Sequence, residues 1–511
     1  MVSESQKSKR IAKNTFLLYI RMLILMVISL YTSRVILNSL GVVDYGIYNV
    51  VGGVVTMFTM ISGSLSTAIS RYLTFSLGKE DHGKLSLIFS TSVNIQIILS
   101  LIILVVAETI GLWFLNYKMT IPSDRWIAAN WVYQFSILTF IINLISVPYN
   151  AAIIAHEKMS AFAYISIVEA MGKLLIAWLI SVDLVDRLIF YALMCAVLSI
   201  MVRAIYSIYC KRHFEETSYK FIFDKDLLKE MFGFAGWNFL GSSAMVLREH
   251  GGNLLINIFF GPAVNAARAI ATKINSTVQS FVTNFMMALN PQITKSYASG
   301  NYPYMFKLMF QGTRLSFYMM LFLSLPIMLN IEFILKIWLK LVPDHATSFA
   351  CLILILAMSD ILSGTLITAF LATGKVKRYQ IVVGTLQLLN LPITYVCYRI
   401  WKVPEIVVGV SILISNIAVF VRLVMLKELM PIKVKDYLVK VYLRVLLVAF
   451  LSALLPYFIS VRLEVGLTRL ALTTLLSTLL TSLVVYYIGC SKDERKLIVS
   501  KISSLLVKNN R

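Results

Sequence analysis

Apolar residues recur along this chain in runs of about twenty, parted by short polar connectors, from residue 14 to residue 489. Each run is long enough to cross a hydrocarbon core of about 30 Å as a helix. The pattern predicts 14 membrane spans, at 14–37, 47–69, 86–108, 129–154, 161–181, 188–210, 232–259, 265–289, 308–330, 347–372, 380–399, 405–426, 442–460 and 467–489. The expected fold class is therefore an all-α polytopic membrane protein. The first run is too long for a signal peptide and lacks a small-residue cleavage site. Glu332–Leu341 is apolar on one face and is expected to lie along the outer interface.

Composition sharpens this picture. Of 511 residues 59% are hydrophobic and 14% charged, with a mean hydropathy of +0.80. Soluble domains carry about 25% charged residues, so most of this surface must face something other than water. The formal net charge is +22. In a soluble chain that charge would suggest nucleic acid, but here Lys and Arg sit mainly in the connectors, so no nucleic-acid partner is expected. With an even number of spans, 29 of the 47 Lys and Arg fall on the side holding both termini and ten on the other. The positive-inside rule makes the first side cytoplasmic, where basic connectors also meet anionic lipid headgroups. The expected location is a bacterial cytoplasmic (inner) membrane. Cys195, Cys210, Cys351, Cys397 and Cys490 show no metal-ligand spacing and read as packing residues.

The predicted organisation is an N-terminal bundle at 1–210, a cytoplasmic connector at 211–231, a C-terminal bundle at 232–426, and a connector, two spans and a tail at 427–511. A weak internal repeat supports two halves. Asn38–Gly41 resembles Asn257–Gly261, and Gly78 with Lys84-Leu85 resembles Gly300 with Lys307-Leu308. In parallel repeats of this kind the substrate site commonly lies between the halves.

Ionisable groups inside spans are the candidate chemistry, because each costs roughly 2.5–3.5 kcal/mol at mid-bilayer unless it meets a cavity or a partner. Glu108, Arg314 and Arg422 lie near span ends and read as structural; Arg203 lies deeper and is open to either reading. The informative set is Arg21, Glu169, Lys173, Arg248, Glu249, Arg268, Lys273 and Asp360. Glu169 and Lys173 are spaced for a helical ion pair. Arg248-Glu249-His250-Gly251-Gly252 predicts a bend or unwound turn inside the seventh span, lining a cavity. Five of the eight are basic, which fits an anionic cargo such as a diphosphate, held by Arg21, Arg248, Arg268, Lys173 and Lys273. Glu169, Glu249 and Asp360 are candidates for ion coupling or, equally, for charge compensation. No GxxxxGK[ST], HExxH or GxSxG motif occurs, the five histidines are dispersed, and the acidic pair Asp493-Glu494 lies in the tail. Neither an enzyme nor a cofactor or metal is expected.

Several blocks are similar to a known family. SRVILNSLGVVDYGIYNVVGGV (Ser33–Val54), SRYLTFSLGK (Ser70–Lys79), GFAGWNFLG (Gly233–Gly241), NLLINIFFGPAVNAARAIA (Asn253–Ala271), NPQITKSYASG (Asn290–Gly300) and ATGKVKRYQ (Ala372–Gln380) resemble the Wzx-type polysaccharide biosynthesis and O-antigen flippases. These belong to the multidrug/oligosaccharidyl-lipid/polysaccharide exporter superfamily. The resemblance covers nearly the whole chain except the last two spans. It implies two six-helix bundles around a central cavity with two extra helices, working by alternating access on an undecaprenyl-diphosphate-linked oligosaccharide. The glycosyltransferases and polymerase of the same pathway would be partners. Relatives hold the diphosphate with arginines; Arg34 and Arg268 fall within the blocks, near the outer interface, while Arg21 and Arg248 lie just outside. Gly41, Gly46, Gly261 and Gly300 read as turn and close-packing positions. Cation-coupled multidrug export on the same fold is the competing reading. A glycan polymerase or ligase is disfavoured by outer connectors too short for a catalytic loop.

Overall fold

The computed structural model describes residues 4–56, 59–118, 121–180, 186–222, 224–339, 342–491 and 494–496. Asp493, the tail 497–511 and the side chains of Arg34 and His250 lie outside the described residues. The described chain is helical from end to end: α1 (Glu4–Thr56), α2 (Thr59–Gly78), α3 (His82–Val106), α4 (Leu112–Lys118), α5 (Trp126–Ala155), α6 (Met159–Leu179), α7 (Arg187–His213), α8 (Lys225–Phe260), α9 (Pro262–Ala298) and α10 (Tyr302–Leu329) come first. They are followed by α11 (Ile331–Leu339), α12 (Ala346–Ile361), α13 (Gly364–Thr373), α14 (Val376–Leu388), α15 (Asn390–Trp401), α16 (Ile406–Lys427), α17 (Val434–Tyr437), α18 (Arg444–Arg462) and α19 (Leu467–Val484). Among the described residues, ten segments are long and apolar enough to cross a membrane. They coincide with predicted spans 3–6 and 9–14. Spans 1, 7 and 8 fall on α1, α8 and α9, and span 2 falls partly on the end of α1 and partly on α2; α1, α8 and α9 carry Arg21, Arg248, Glu249, Arg268 and Lys273.

Two compact units divide the chain: residues 1–239 with 294–300, and residues 240–293 with 301–511. In the first, α5 packs against α2, α3 and α7, and α1 against α6. The connector after α7 is shorter than expected and is bonded to α3. Asn94 donates to the Ile222 carbonyl (2.8 Å) and accepts from the Tyr219 hydroxyl (2.7 Å), and Ser90 accepts from the Lys220 amide (3.2 Å). Asp224 then caps the first turn of α8, accepting from two amides. At the opposite end Arg125 bridges Asp44 of α1 and Asp186, the N-cap of α7.

In the second unit, α12 and α16 pack together, α10 lies against α12 and α13, and α18 and α19 pack against α10. Only 22% and 17% of the spanning stretches of α18 and α19 are buried in protein, against 61% for α10 and for α12–α13. Their outward Phe450, Phe458, Leu467 and Leu475 are more than half exposed, a surface suited to hydrocarbon rather than water. The span formed by α12 and α13 breaks at Leu362–Ser363. There the buried Tyr437 hydroxyl donates to the Leu362 carbonyl (2.5 Å) and Arg422 to the Ser363 hydroxyl (2.8 Å). α11 is the amphipathic segment: Ile331 and Leu335 are buried, Trp338 and the Glu332–Lys336 pair exposed.

The internal repeat runs deeper than its matched letters. Gly41 (φ 81°) and Gly261 (φ 84°) both sit in the left-handed region, Gly41 as a kink inside α1 and Gly261 as the turn between α8 and α9. Further on, the partner of Gly300 is Glu80 rather than Gly78: Glu80 has φ 59°, Gly300 φ 73°. Each is followed by an N-cap, Asp81 accepting from the Lys84 amide and Asn301 from the Tyr304 amide. Gly78 serves close packing instead, since a Cβ there would meet the Ala298 Cβ at 2.8 Å. A second matched turn pairs Glu157 (φ 59°) with Gly374 (φ 74°).

Candidate functional site

The buried charges form separate sets in the two units. In the first, Arg21 projects from α1 with its guanidinium over the Phe162 ring of α6, 4.6 Å from the centroid. Its Nε is buried with no hydrogen-bond partner among the described residues. Glu169 of α6 interacts with it electrostatically and accepts from Lys173 at 2.7 Å, the predicted helical pair. Both members of that pair are partly exposed, so it adds little stability. On α7, Arg203 lies over the Tyr149 ring of α5, 3.9 Å from the centroid, and its Nη1 is likewise buried and unpartnered among the described residues. One helical turn further, Tyr206 interacts with Arg21 and Glu169. Each guanidinium thus lies against a ring from another helix, Arg21 of α1 on α6 and Arg203 of α7 on α5, with one buried nitrogen unpartnered among the described residues. Sequence leaves the role of Arg203 open; its spacing of three from Tyr206 is the one signal, and the ring beneath it comes from another helix.

The second unit treats its arginines differently. Arg248 of α8 donates to Gln387 Oε1 of α14 (2.8 Å) and reaches Asp360 Oδ2 of α12 (3.5 Å). Asp360 also accepts from the Ser415 hydroxyl of α16 at 2.6 Å. Asn416 extends the network, donating to Ser359 (3.3 Å) and accepting from Tyr442 (2.9 Å). Asp360 is therefore bonded on both oxygens. Arg268 donates to Asn253 Oδ1 (2.7 Å) and to the Glu249 carbonyl (3.5 Å), and the Glu249 carboxylate adds to the balance of charge.

The bend expected at Arg248–Gly252 is absent: α8 runs unbroken from Lys225 to Phe260. Its glycines let neighbours approach. A Cβ on Gly251 would meet Leu391 at 2.7 Å, and one on Gly252 would meet Arg268 at 2.9 Å and Val407 at 3.1 Å. Inside a membrane helix, small residues mark close packing between helices as well as breaks.

Lys273 stands exposed on α9, on a helical face formed with Ser276, Thr277, Ser280 and Thr283. The four hydroxyls donate back to carbonyls of their own helix, leaving oxygen acceptors outward. A polar stripe over three turns of a spanning helix is suited to water rather than lipid. Single charges do not reveal it, although the 273–276–277–280–283 spacing is visible in sequence.

The three residues read as structural each have a partner within the protein, and Arg314 and Arg422 are buried rather than extended to the interface. Arg314 pairs with Glu494 (2.6 Å) and caps the Lys440 carbonyl, Arg422 is held by Ser363 and Tyr379, and Glu108 accepts from Gln134.

Comparison with known proteins defines the class. The fold is that of transporters in the MOP superfamily. An outward-facing multidrug resistance MATE family transporter matches with a TM-score of 0.69 at 12% identity, over 81% of this chain and 94% of its own. A MOP superfamily transporter from Pyrococcus furiosus, whose binding pocket is described as having reverse polarity, matches at 0.66 and 11%, over 80% and 94%. The MATE transporter ClbM in complex with Rb+ matches at 0.68 and 14%, over 81% and 94%. The MatE family profile matches residues 244–396. The polysaccharide biosynthesis protein family matches residues 11–297, more than half of the chain, and this protein belongs to that family. No curated protein matches the chain.

Proposed function

We propose that this protein is a flippase that moves an undecaprenyl-diphosphate-linked oligosaccharide from the cytoplasmic to the periplasmic leaflet of a bacterial inner membrane, by alternating access and with both termini cytoplasmic. The observation that carries the reading is that Arg21 and Arg203 each lie on an aromatic face and each keep one buried nitrogen, Nε and Nη1 respectively, without a partner among the described residues. A planar guanidinium binds phosphate oxygens bidentately. Membership of the polysaccharide biosynthesis family supports this class of cargo. Glycosyltransferases would build the lipid-linked unit and a polymerase would consume it. Arg268, Arg248, Lys173 and Lys273 are secondary candidates for the diphosphate. Glu169 is the best placed of the three acids for coupling, since it faces two cations that an anionic cargo would claim.

A second reading, cation-coupled drug export, is favoured by the MatE match over residues 244–396 and by the carboxylates Glu249 and Asp360 within it. One experiment separates the two. Deleting the gene and following lipid-linked repeat units should show them accumulating in the cytoplasmic leaflet, with surface glycan lost. If units keep reaching the periplasm and only drug tolerance falls, the flippase reading is overturned.

A further inference from the structure

In the first unit, α3 and the turn after it form one apolar segment of 29 residues, Gly83–Gly111. At 1.5 Å per residue that segment is about 43 Å long, roughly 13 Å more than the hydrocarbon it crosses. With the excess shared between its ends, Ser90 and Asn94 stand about 4 and 10 Å inside the apolar layer. Both are polar, and their spacing puts them on the helical face that carries Ile97 and Leu101 further along. Leu101 is 58% exposed, as suits a lipid-facing residue, whereas Ser90 and Asn94 are buried.

The connector after α7 covers them. It is first pinned to the bundle: Phe214 stacks on His156 with ring centroids 4.0 Å apart, Glu216 pairs with the same imidazole, and Thr217 is buried. Residues 218–222 then run as a strap across α3. The Tyr219 hydroxyl donates to Asn94 at 2.7 Å, the Lys220 amide to Ser90 at 3.2 Å, and the Asn94 side chain to the Ile222 carbonyl at 2.8 Å. The Ile222 amide donates in turn to the Lys220 carbonyl, also at 2.8 Å. Lys220 and Ile222 thus have all four backbone groups bonded, the condition on which irregular backbone persists at membrane depth. Phe221, between them, is 85% exposed.

We propose that the strap 218–222 anchors the first unit in the bilayer: Phe221 enters the acyl chains of adjoining phospholipids, and Lys220 extends its ammonium to their phosphates. The strap at the same time screens the Ser90–Asn94 face of α3 from hydrocarbon. Phospholipid is the partner because the covered face continues directly into the exposed apolar surface of Ile97 and Leu101. This goes beyond the transport reading and does not depend on what is carried.

Photo-crosslinking of the full-length protein in phospholipid nanodiscs tests it. Benzoylphenylalanine replaces Phe221, lipid-facing Leu101 or the exposed, charged Glu428, and phospholipid adducts are read by intact mass. Adducts at 221 should come within about threefold of those at 101 and exceed those at 428 at least tenfold. Labelling at 221 no stronger than at 428, or capture of a protein instead of lipid in native membranes, would overturn the proposal. Hydrogen–deuterium exchange reads the other side of the strap. Asn94→Leu should speed exchange over 219–222 at least tenfold and leave the rest of α3 within about threefold of the parent; Ser90→Ala, which removes a single bond, should do the same to a smaller extent. An unchanged strap in both variants would show that α3 does not hold it, and the proposal would fall. Both readouts are independent of glycan display, so failure of the flippase reading would appear separately, as normal repeat-unit traffic in the gene deletion.

Discussion

Two ways of holding an arginine inside a membrane protein occur in this one chain. In the first unit Arg21 and Arg203 lie on the faces of Phe162 and Tyr149. In the second, Arg248 is tied edge-on to Gln387 and Asp360, and Arg268 to Asn253. An aromatic face attracts the cation through the ring quadrupole and leaves the in-plane N–H donors open. A carboxylate or amide occupies those donors, and a carboxylate also neutralises the charge. On the proposed function, the first arrangement would leave donors for an anionic ligand, while the second ties together the helices of its own unit.

Substitutions that separate binding from bracing would sharpen or break this contrast. The largest effect is expected for Arg21→Ala combined with Arg203→Ala. Each charge-assisted contact to a phosphate contributes about 1.5–3 kcal/mol, so repeat-unit flux should fall at least ~100-fold while melting temperature and protein level hold. Flux within about threefold of the parent would remove these residues from the site. Arg248→Ala should act in the opposite sense. It leaves Asp360 with a hydroxyl partner and no cation, and should lower stability by about 2–3 kcal/mol, a loss that Asp360→Asn in the same chain largely restores. A stable Arg248→Ala protein with lost transport would move Arg248 from brace to binding site.

Phe162→Leu keeps apolar bulk but removes the ring face beneath Arg21. A loss of about 1 kcal/mol predicts a roughly fivefold fall in flux, rescued by Phe162→Tyr; equal activity of the Leu and Tyr variants would mean the ring serves only packing. The smallest effect is expected at the end of the first unit where an arginine is held by carboxylates instead. Burial alone would raise the Asp186 carboxyl, but hydrogen bonds and charge from Arg125 and the amides of Ile189 and Leu188 outweigh it and hold the group below its usual range. A depressed native pKa stabilises above the unfolded value of about 3.9, and that contribution fades as pH falls through the native value. Between about pH 5 and pH 3 the parent should therefore lose more melting temperature than Asp186→Asn. Parallel curves would show that this bridge adds nothing.

Much of the fold is legible in sequence because membrane helices obey a length rule that does not depend on what they pack against. The predicted spans fall on helices, and the two faces of Glu332–Leu341 mark it as amphipathic before any packing is known. Gly41, Gly261 and Gly300 read as turns, and each has a φ that favours glycine. Gly251 and Gly252 read as a break by the same logic and are not one. A glycine beside polar residues looks identical in sequence whether it bends its own helix or admits a neighbour's side chain, and here Leu391 and Arg268 are the neighbours. The Glu169–Lys173 pair is legible because both members share one helix. The setting of Arg203 and the Asp360–Ser415 and Ser359–Asn416–Tyr442 contacts are not, because their partners lie on other helices.

What sequence alone determined about this protein is whatever the bilayer judges locally: which segments are apolar enough to be helices within it, and which cations are costly to bury. Tertiary structure decided what each buried cation meets. A guanidinium over an aromatic ring and a guanidinium against a carboxylate are the same letter in the chain. Only the packing of distant helices, which places Phe162 beneath Arg21 and Asp360 beside Arg248, makes one a candidate ligand for an anion and the other a brace.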